Sequence, residues 1–273
     1  MATPVYIVIV THNSAAVLET CLLHLDKQTI AAHKVIVVDS GSNDTSYLQG
    51  LTAGFDLHLI RTDNIGYGRA NNLGFQQLPL GQDGLVLFLN PDTFLPPDFL
   101  FQAIGVMHEN PRAGAISGKL LGFDPLIGKP TGKIDSTGIY RHWYGKWYDR
   151  GQGKKDLGQY DLIDLPLALC GALLCCRIKA LLPFSGVVFD PDFFLYKEDI
   201  ELCLRLRKSG WTLIYDPRLI AYHCRGWSDR RRTVPYPLRL QAAASEVTLY
   251  RKHPEPQIVW AWLKYAAVRF LRL

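Results

Sequence analysis

The stretch LYKEDIELCLRLRKSGW, residues 195–211, places Glu198, Asp199 and Glu201 close together after the apolar run FFLY. Carboxylates beside such a run are partly desolvated, which raises a carboxyl pKa and favours a proton acceptor. A helix explains the same charges, because acids in its first turn and bases in its last turn complement the helix dipole. The stretch therefore predicts a helix, and both interpretations of its acids stay open.

A second candidate site follows the apolar run LVLFL, where Asn90, Pro91 and Asp92 end a predicted strand. Hard divalent cations are commonly held by one or two carboxylates together with substrate phosphates. Asp92 suits that role because Pro91 stiffens the backbone before it. The tetrapeptide NPDT is also a common turn signal, and taken alone it favours the turn.

The elements that position these groups alternate between strands and helices in the first half of the chain. The predicted strands are VYIVIVT, KVIVVD, LHLIRT and GLVLFLN, and the predicted helices are AVLETCLLHLDKQ and GRANNLGFQQL. This alternation predicts a mainly parallel sheet with helices on both faces, and ligands of such sheets bind beyond the carboxyl ends of the strands. Polar residues stand at those ends: Thr11, His12, Asn13, Asp39, Asp63, Asn64, Asn90 and Asp92. We expect them to share a ligand site.

The second half of the chain is less regular. PDFLFQAIGVMHENP predicts a helix, GAISGKLL a strand, and WTLIYDPRLIAYH a pair of strands. LIDLPLALCGALLCCRIKAL predicts a strand hairpin or a strand–helix pair around Gly171. The aromatic and basic stretch HWYGKWY suits stacking on a sugar, contact with a membrane, or packing in the core.

Composition limits the classes of partner. The chain has 273 residues, 48% of them hydrophobic, and a net charge of +5, which is too modest to predict nucleic acid as a partner. The six cysteines lack metal-type spacing, and we expect them to be reduced. The first residues lack a basic signal region, and the longest apolar run is too short to span a bilayer, so the sequence predicts a cytoplasmic protein.

Three common enzyme classes do not fit. THNSAA, after the first strand, has no glycine for a dinucleotide-binding turn, and no glycine-rich phosphate loop ends in Lys-Ser or Lys-Thr. A nucleophile elbow is also missing, which excludes a serine hydrolase of that type.

Six motifs occur in the order VIVTHNS, VIVVDSGSNDTS, DNIGYGRANNLG, LFLNPDT, FFLYKEDIELCLRLRKSGW and AYHCRG. They resemble family 2 glycosyltransferases with the GT-A fold, in the rhamnosyltransferase-like branch of bacterial polysaccharide biosynthesis, over residues 3 to about 250. The resemblance implies one α/β domain, 1–250, in which a Rossmann-like nucleotide-sugar half with a mixed, mainly parallel sheet (about 1–100) is fused to an acceptor and catalytic half (101–232). A C-terminal amphipathic helical tail, 251–273, follows.

The resemblance also implies roles for individual residues. The implied donor nucleotide site comprises Thr11, Asn13, Asp39, Asn64, Arg69, Asn90 and Asp92. Asp199 matches the general base of inverting enzymes, with Glu198 beside it to orient the acceptor. Asp92 and His223 match ligands of a divalent metal, Mg²⁺ or Mn²⁺, and Arg225 and Arg230 could add positive charge at the diphosphate. Asn90 stands where many relatives carry an Asp, which weakens the expected metal site.

The implied reaction moves a sugar, with L-rhamnose from dTDP-L-rhamnose as the first expectation, to a lipid-linked oligosaccharide or polysaccharide. The alternatives are a UDP-hexose donor, or a catalytically silent module that binds a nucleotide sugar or a glycan. In the tail, Lys264, Arg269 and Arg272 cluster on one side of a predicted helix, which is typical of an interfacial helix. We expect residues 257–273 to contact the cytoplasmic face of the inner membrane, and the alternative is a terminal helix that packs its apolar face on the domain or on a second subunit.

Overall fold

In a computed structural model of the chain, residues 3–51, 54–79, 83–224 and 234–272 are described. The strands in this part of the chain are β1 (Val5–Thr11), β2 (Lys34–Ser40), β3 (Leu57–Thr62), β4 (Leu85–Leu89), β5 (Thr93–Phe94), β6 (Ala113–Asp124), β7 (Lys129–Ser136), β8 (Ile139–Arg141), β9 (Trp147–Asp149), β10 (Leu173–Arg177) and β11 (Thr212–His223). The α-helices are α1 (Leu18–Asp26), α2 (Tyr67–Phe75), α3 (Phe99–Glu109), α4 (Ile178–Leu181), α5 (Glu198–Lys208), α6 (Tyr236–Lys252) and α7 (Ile258–Leu271).

One mixed sheet organises the described residues. Its strand order is β3-β2-β1-β4-β10-β6-β11-β5, with β7 paired to β6, and β8 and β9 form a separate hairpin. β1 is parallel to β2 and β4, whereas β10 is antiparallel to both of its neighbours. Every residue of β1 is buried, as its continuous apolar run predicts for a strand covered on both faces. The predicted α/β class and mixed sheet are confirmed, and the carboxyl ends of β1, β2 and β4 meet at one edge.

Two strand predictions in the second half need correction. WTLIYDPRLIAYH is a single strand, β11, rather than a pair, because its central Asp-Pro-Arg forms a bulge. Asp216 accepts hydrogen bonds from the backbone N–H of Arg218 at 2.9 Å and from its guanidinium, which stabilises the bulge without reversing the chain. Around Gly171, the strand–helix alternative is the correct one, since β10 leads directly into α4.

The end of the described chain is helical. α6 was not predicted from the sequence, and it packs against α7, which covers most of the predicted tail. The predicted boundary between residues 250 and 251 falls within α6, and the division into a domain and a tail stays a prediction. None of the helices within the described ranges has both the length and the apolar character needed to cross a bilayer. The six cysteines form no disulfide bonds, and five of them are buried.

The bulge in β11 is fitted to a glycine in β6. Ser117 and Lys119 pair with Tyr215 and Ile220, so the bulged residues of β11 lie opposite Gly118. A Cβ atom at Gly118 would lie 1.7 Å from the backbone oxygen of Leu219. Because both groups belong to paired strands, neither can move away without breaking the pairing.

We expect Gly118→Ala to lower the free energy of unfolding by about 1–3 kcal/mol or more, since the new methyl group overlaps backbone. Gly105→Ala is the matched control, because a Cβ there meets nothing within 4 Å. On α3 that change should raise stability by about 0.5–1 kcal/mol. Urea unfolding of both variants measures the difference, and equal effects would contradict the close contact between β6 and β11.

Candidate active site

Two neighbouring cavities open at the carboxyl edge of the sheet. The strand-end cavity, of about 400 Å³, lies at the ends of β1, β2 and β4, and the helix-start cavity, of about 420 Å³, lies at the start of α5. Both are lined by Tyr67, Asn90, Asp92 and Leu195. The two cavities therefore form one continuous cleft, with Asn90 and Asp92 where they meet.

An unusual turn delivers two acids to the helix-start cavity. Tyr196 and Lys197 have φ values of 70° and 73°, in the left-handed region that bulky residues rarely adopt, and α5 begins at the next residue. Glu198 and Asp199 consequently point into the cavity that they line. Strained backbone of this kind persists only where the surrounding structure enforces it, and it clusters at functional sites.

The Asp199 carboxyl is anchored on both oxygens. Its Oδ2 accepts a hydrogen bond from the Gly171 N–H at 3.0 Å, and its Oδ1 accepts one from the Ile200 N–H at 2.8 Å. A Cβ at Gly171 would lie 3.1 Å from the Cβ of Asp199, so the glycine allows this close approach. Burial raises the pKa of Asp199 above its ordinary value, although the Gly171 N–H acts in the opposite direction. The group is held in place and is more basic than a solvated aspartate.

Glu198 differs from its neighbour. It is buried, and its Oε2 has no hydrogen-bond partner among the described residues. Burial, and then the adjacent Asp199, raise the pKa of Glu198 to about 8. Both Asp199 oxygens accept backbone hydrogen bonds, whereas Glu198 Oε2 has no donor among the described residues, so the negative charge of the pair is better stabilised on Asp199, which is the better candidate for taking a proton.

Glu201, the third acid of this helix, faces away from the cleft. Its carboxylate pairs with Arg205, one turn along α5, at 2.8 Å and lies 3.3 Å from Nε2 of His253. The three acids of the stretch therefore have different surroundings. Glu201 stabilises the helix and its packing, whereas Glu198 and Asp199 line the cleft.

His223 joins three elements at the other side of the cleft. β11 pairs with β5 so that His223 lies opposite Thr93, next to Asp92. The His223 Nε2 lies 3.3 Å from Oδ1 of Asp92, and its Nδ1 lies 2.6 Å from Oδ2 of the fully buried Asp135. Burial lowers the pKa of His223, but the hydrogen bonds with Asp135 and Asp92 outweigh that effect and raise the pKa to about 9.

These residues fit a divalent cation that is completed by a substrate. A ligating histidine usually donates its other N–H to a carboxylate, which is the relation of His223 to Asp135. Asn90 lines both cavities, and its Oδ1 is buried with no partner among the described residues. Within those residues no group of three or more His, Cys, Asp or Glu side chains could hold a metal. The protein thus offers Asp92 and, after its Nε2 has released a proton, His223. Hard cations commonly take their other ligands from phosphates and water.

Only some of the other residues predicted to bind the nucleotide line the cleft. Asn13 and Asn64 line the strand-end cavity. Thr11 and Asp39 are buried and do not line either cavity. Asp39 accepts a hydrogen bond from the Ser42 hydroxyl at 2.5 Å. It lies behind the surface of the strand-end cavity, next to Ser40, which lines that cavity.

Arg69 is exposed, and its Nε donates to the Pro191 carbonyl at 3.1 Å rather than lining either cavity of the cleft. Arg225 and Arg230 lie outside the described residues.

Asp135 and Tyr67 are among the residues of the cleft that were not predicted from the sequence. Asp135 stands in the tripeptide IDS of β7, and its only sequence signal is an acid inside a buried strand end. Tyr67 lines both cavities, and its hydroxyl donates to the Gly171 carbonyl at 3.0 Å, which ties the two sides together. It stands in the motif GYGRANNLG, but aromatic residues at a helix start carry no specific signal.

Comparison with known proteins shows clear similarity to one enzyme family. Residues 6–163 match the model described as Glycosyl transferase family 2, and residues 85–243 match Glycosyl transferase family group 2. The chain is 28% identical over 246 residues to N-acetylglucosaminyl-diphospho-decaprenol L-rhamnosyltransferase of Mycobacterium tuberculosis, covering 82% of this chain and 77% of that protein. It is 24% identical to rhamnosyltransferase WbbL of Escherichia coli, covering 80% and 83%.

Solved structures share the fold. GalNAc-T7 with UDP, GalNAc and Mn²⁺ matches with a TM-score of 0.64 at 14% identity, covering 98% of this chain and 58% of that one. A mannosyltransferase from Pyrobaculum calidifontis with GDP-Man and Mn²⁺ matches with a TM-score of 0.60 at 18% identity, covering 99% and 71%. The predicted GT-A fold is confirmed.

The raised pKa of Glu198 predicts how stability depends on pH. Between the ordinary glutamate pKa of 4.5 and the folded value of about 8, the unfolded chain ionises Glu198 and the folded chain does not. The wild type therefore loses stability as the pH rises through this range, and Glu198→Gln, which cannot ionise, does not.

We expect the stability of Glu198→Gln relative to the wild type to increase by more than about 1 kcal/mol from pH 5 to pH 8. Urea unfolding at both pH values measures it, and an exposed Glu19→Gln variant controls for the loss of one acidic charge. A difference that is the same at pH 5 and pH 8 would mean that Glu198 ionises as freely as in the unfolded chain.

Proposed function

The chain belongs to glycosyl transferase family 2, and we propose that it transfers a sugar, with inversion, from a nucleotide-activated donor to an acceptor hydroxyl. The observation that carries this proposal is the continuous cleft. Asp92 lies where the two cavities meet, so a donor in the strand-end cavity would present its diphosphate there. Asp199 lies in the helix-start cavity, on the acceptor side of that point.

The proposed reaction needs one proton acceptor and a stabilised leaving group. Asp199 takes the proton of the acceptor hydroxyl as that oxygen attacks the anomeric carbon, and a single positioned carboxylate is sufficient. The bond from the anomeric carbon to the diphosphate oxygen breaks, and the nucleoside diphosphate leaves with the electron pair. Asp92 and His223 would hold a Mg²⁺ or Mn²⁺ ion, which when bound supplies positive charge to the leaving diphosphate.

Glu198 has a different part in this proposal. Because its pKa is raised to about 8, the protonated carboxyl can donate a hydrogen bond to an acceptor oxygen but is a poor base at neutral pH. We assign it to orienting the acceptor. Asn13 and Asn64 would contact the nucleotide directly, and Asp39 would act from the wall behind them.

The names of both relatives support rhamnose as the sugar, and the name of one supports a lipid diphosphate in the acceptor. One relative is an L-rhamnosyltransferase for a diphosphate-linked lipid, and the other is a rhamnosyltransferase. We therefore propose L-rhamnose from dTDP-L-rhamnose as the donor and a lipid-linked sugar as the acceptor. A UDP-hexose donor is the alternative within the same fold, and a silent binding module is the alternative without catalysis.

Contact with a membrane surface suits a lipid-linked acceptor. Along α7, the large apolar residues Val259, Leu263 and Phe270 are exposed, and Arg269 lies beside them. Apolar and basic groups on one helix bind an anionic bilayer surface through buried area and charge attraction. We propose peripheral binding at the cytoplasmic face of the inner membrane through residues 257–273, with a homodimer through the same face as the alternative.

The proposal is tested by incubating the full chain with dTDP-L-rhamnose or UDP-hexoses and an N-acetylglucosaminyl diphospholipid. We expect transfer from dTDP-L-rhamnose, loss of transfer in EDTA, and recovery with Mg²⁺ or Mn²⁺. Transfer only from a UDP-hexose would support the alternative donor. Thermal stabilisation by a nucleotide sugar without transfer or donor hydrolysis would support the silent binding module. Full activity in EDTA would contradict the proposed requirement for a divalent metal.

A further inference from the structure

A row of aromatic rings leads away from the helix-start cavity along the β8–β9 hairpin. Tyr148 lines the cavity, and its ring stacks on His142 with centroids 4.4 Å apart. His142 stacks on Tyr144 at 5.2 Å, and Tyr144 meets Trp260 of α7 edge-on at 6.2 Å. With Trp143, whose ring touches that of Tyr144 at 5.5 Å, these residues form a continuous surface. We call His142, Trp143, Tyr144, Tyr148 and Trp260 the aromatic strip.

The strip does not belong to the core. Trp143 is 83% exposed and Trp260 is 51% exposed, and Tyr148 and His142 are also exposed. An aromatic ring stabilises a fold mainly through the area that it buries, so these rings contribute little to the stability of a single chain. Contiguous exposed apolar surface of this kind marks an interaction site.

The rings are held in position by the helices beneath them. The Tyr250 hydroxyl of α6 donates to the Gly145 carbonyl at 2.5 Å, inside the turn of the hairpin. The Gln257 side chain, just before α7, donates to the Trp143 carbonyl at 3.2 Å. Because the hairpin and the helices are joined in this way, a ligand would not need to order the strip, which favours binding.

A small pocket of about 110 Å³ lies where the strip meets α7. It is lined by Tyr144, Trp260, Lys146, Lys264 and Glu246. Lys264 is paired with Glu246, whereas Lys146 is exposed at the rim. An ammonium group beside an apolar pocket suits a ligand that joins an apolar chain to a phosphate.

The apolar surface continues beyond the pocket along α7. Ala261 and Val268 are buried, so this side of the helix faces α6 and the domain. Val259, Leu263 and Phe270 are exposed on the outer side. An apolar chain that leaves the pocket can therefore remain on apolar surface for the length of the helix.

We propose that the aromatic strip binds the lipid-diphosphate part of the acceptor. The acceptor sugar lies in the helix-start cavity beside Tyr148, the diphosphate lies near Lys146, and the lipid chain passes over Trp260 onto α7. This inference rests on the proposed function and deepens it, because it names the surface that distinguishes a lipid-linked acceptor from a soluble one.

Farnesyl diphosphate is a suitable probe, and calorimetric titration of the full chain measures its binding. We expect Trp260→Ala and Tyr144→Ala each to raise the Kd by about tenfold or more. Trp262→Ala is the matched control. It lies on the same helix and is 49% exposed, but its ring contacts Tyr265 and not the strip. The control should change the Kd by less than about twofold.

Three results of this titration would overturn the proposal. Equal weakening by Trp260→Ala and Trp262→Ala would indicate general adhesion of lipid to α7. Unchanged binding in both Trp260→Ala and Tyr144→Ala would show that the aromatic strip does not bind farnesyl diphosphate. Complete displacement of farnesyl diphosphate by dTDP, a nucleotide that fits the donor site, would place the probe in that site.

Transfer assays separate this proposal from the proposed function. On acceptors with the same sugar but a long or a short chain, Trp260→Ala should raise the KM for the long-chain acceptor about tenfold and leave the short-chain acceptor within about twofold. Equal losses on both acceptors would contradict the strip. A further outcome is that the protein binds farnesyl diphosphate through the aromatic strip and yet transfers no sugar. That result would contradict the proposed function and support the aromatic strip as a lipid-diphosphate site.

Discussion

The cleft depends on the left-handed turn at Tyr196 and Lys197, which starts α5 with two acids facing inward. Such a turn is unfavourable by itself, so the surrounding structure has to maintain it. α6 does so from one side: the Ser245 hydroxyl donates to the Leu195 carbonyl at 2.8 Å, and Lys252 pairs with Asp190 at 2.8 Å. Without this support the acids could relax toward solvent, where their pKa values would return to the ordinary range.

Gly171 and Ala172, just before β10, connect the two sides of the cleft. Asp199 binds the Gly171 N–H, and the next residue, Ala172, accepts a hydrogen bond from the Asn90 N–H at 3.1 Å. The short segment before β10 therefore touches the base candidate on one side and the end of β4 on the other. In the proposed reaction, these backbone contacts would help to set the distance between an acceptor beside Asp199 and a diphosphate beside Asp92. That rigidity favours a reaction that needs its groups aligned.

The sequence predicted the first half of the fold well, because buried parallel strands appear as apolar runs and their polar ends are easy to recognise. It located Asp199, Asp92 and His223 through motifs. It could not predict the role of Asp135, since Asp135 and His223 are 88 residues apart in the chain and stand in strands on opposite sides of β6. The bulge that keeps β11 a single strand was missed for a similar reason, because it depends on Gly118 in the neighbouring strand.

The different roles proposed for Glu198 and Asp199 could not be predicted from the sequence either. The two acids are adjacent, and their burial and backbone contacts distinguish them. The central claim is that Asp199 takes the acceptor proton, and the most direct measurement compares donor binding with turnover in Asp199→Asn. The amide has nearly the same shape but cannot accept the proton, so the donor Kd should stay close to the wild-type value while kcat falls by about 100-fold or more. Turnover near the wild-type rate in this variant would contradict the account and assign the base to another group.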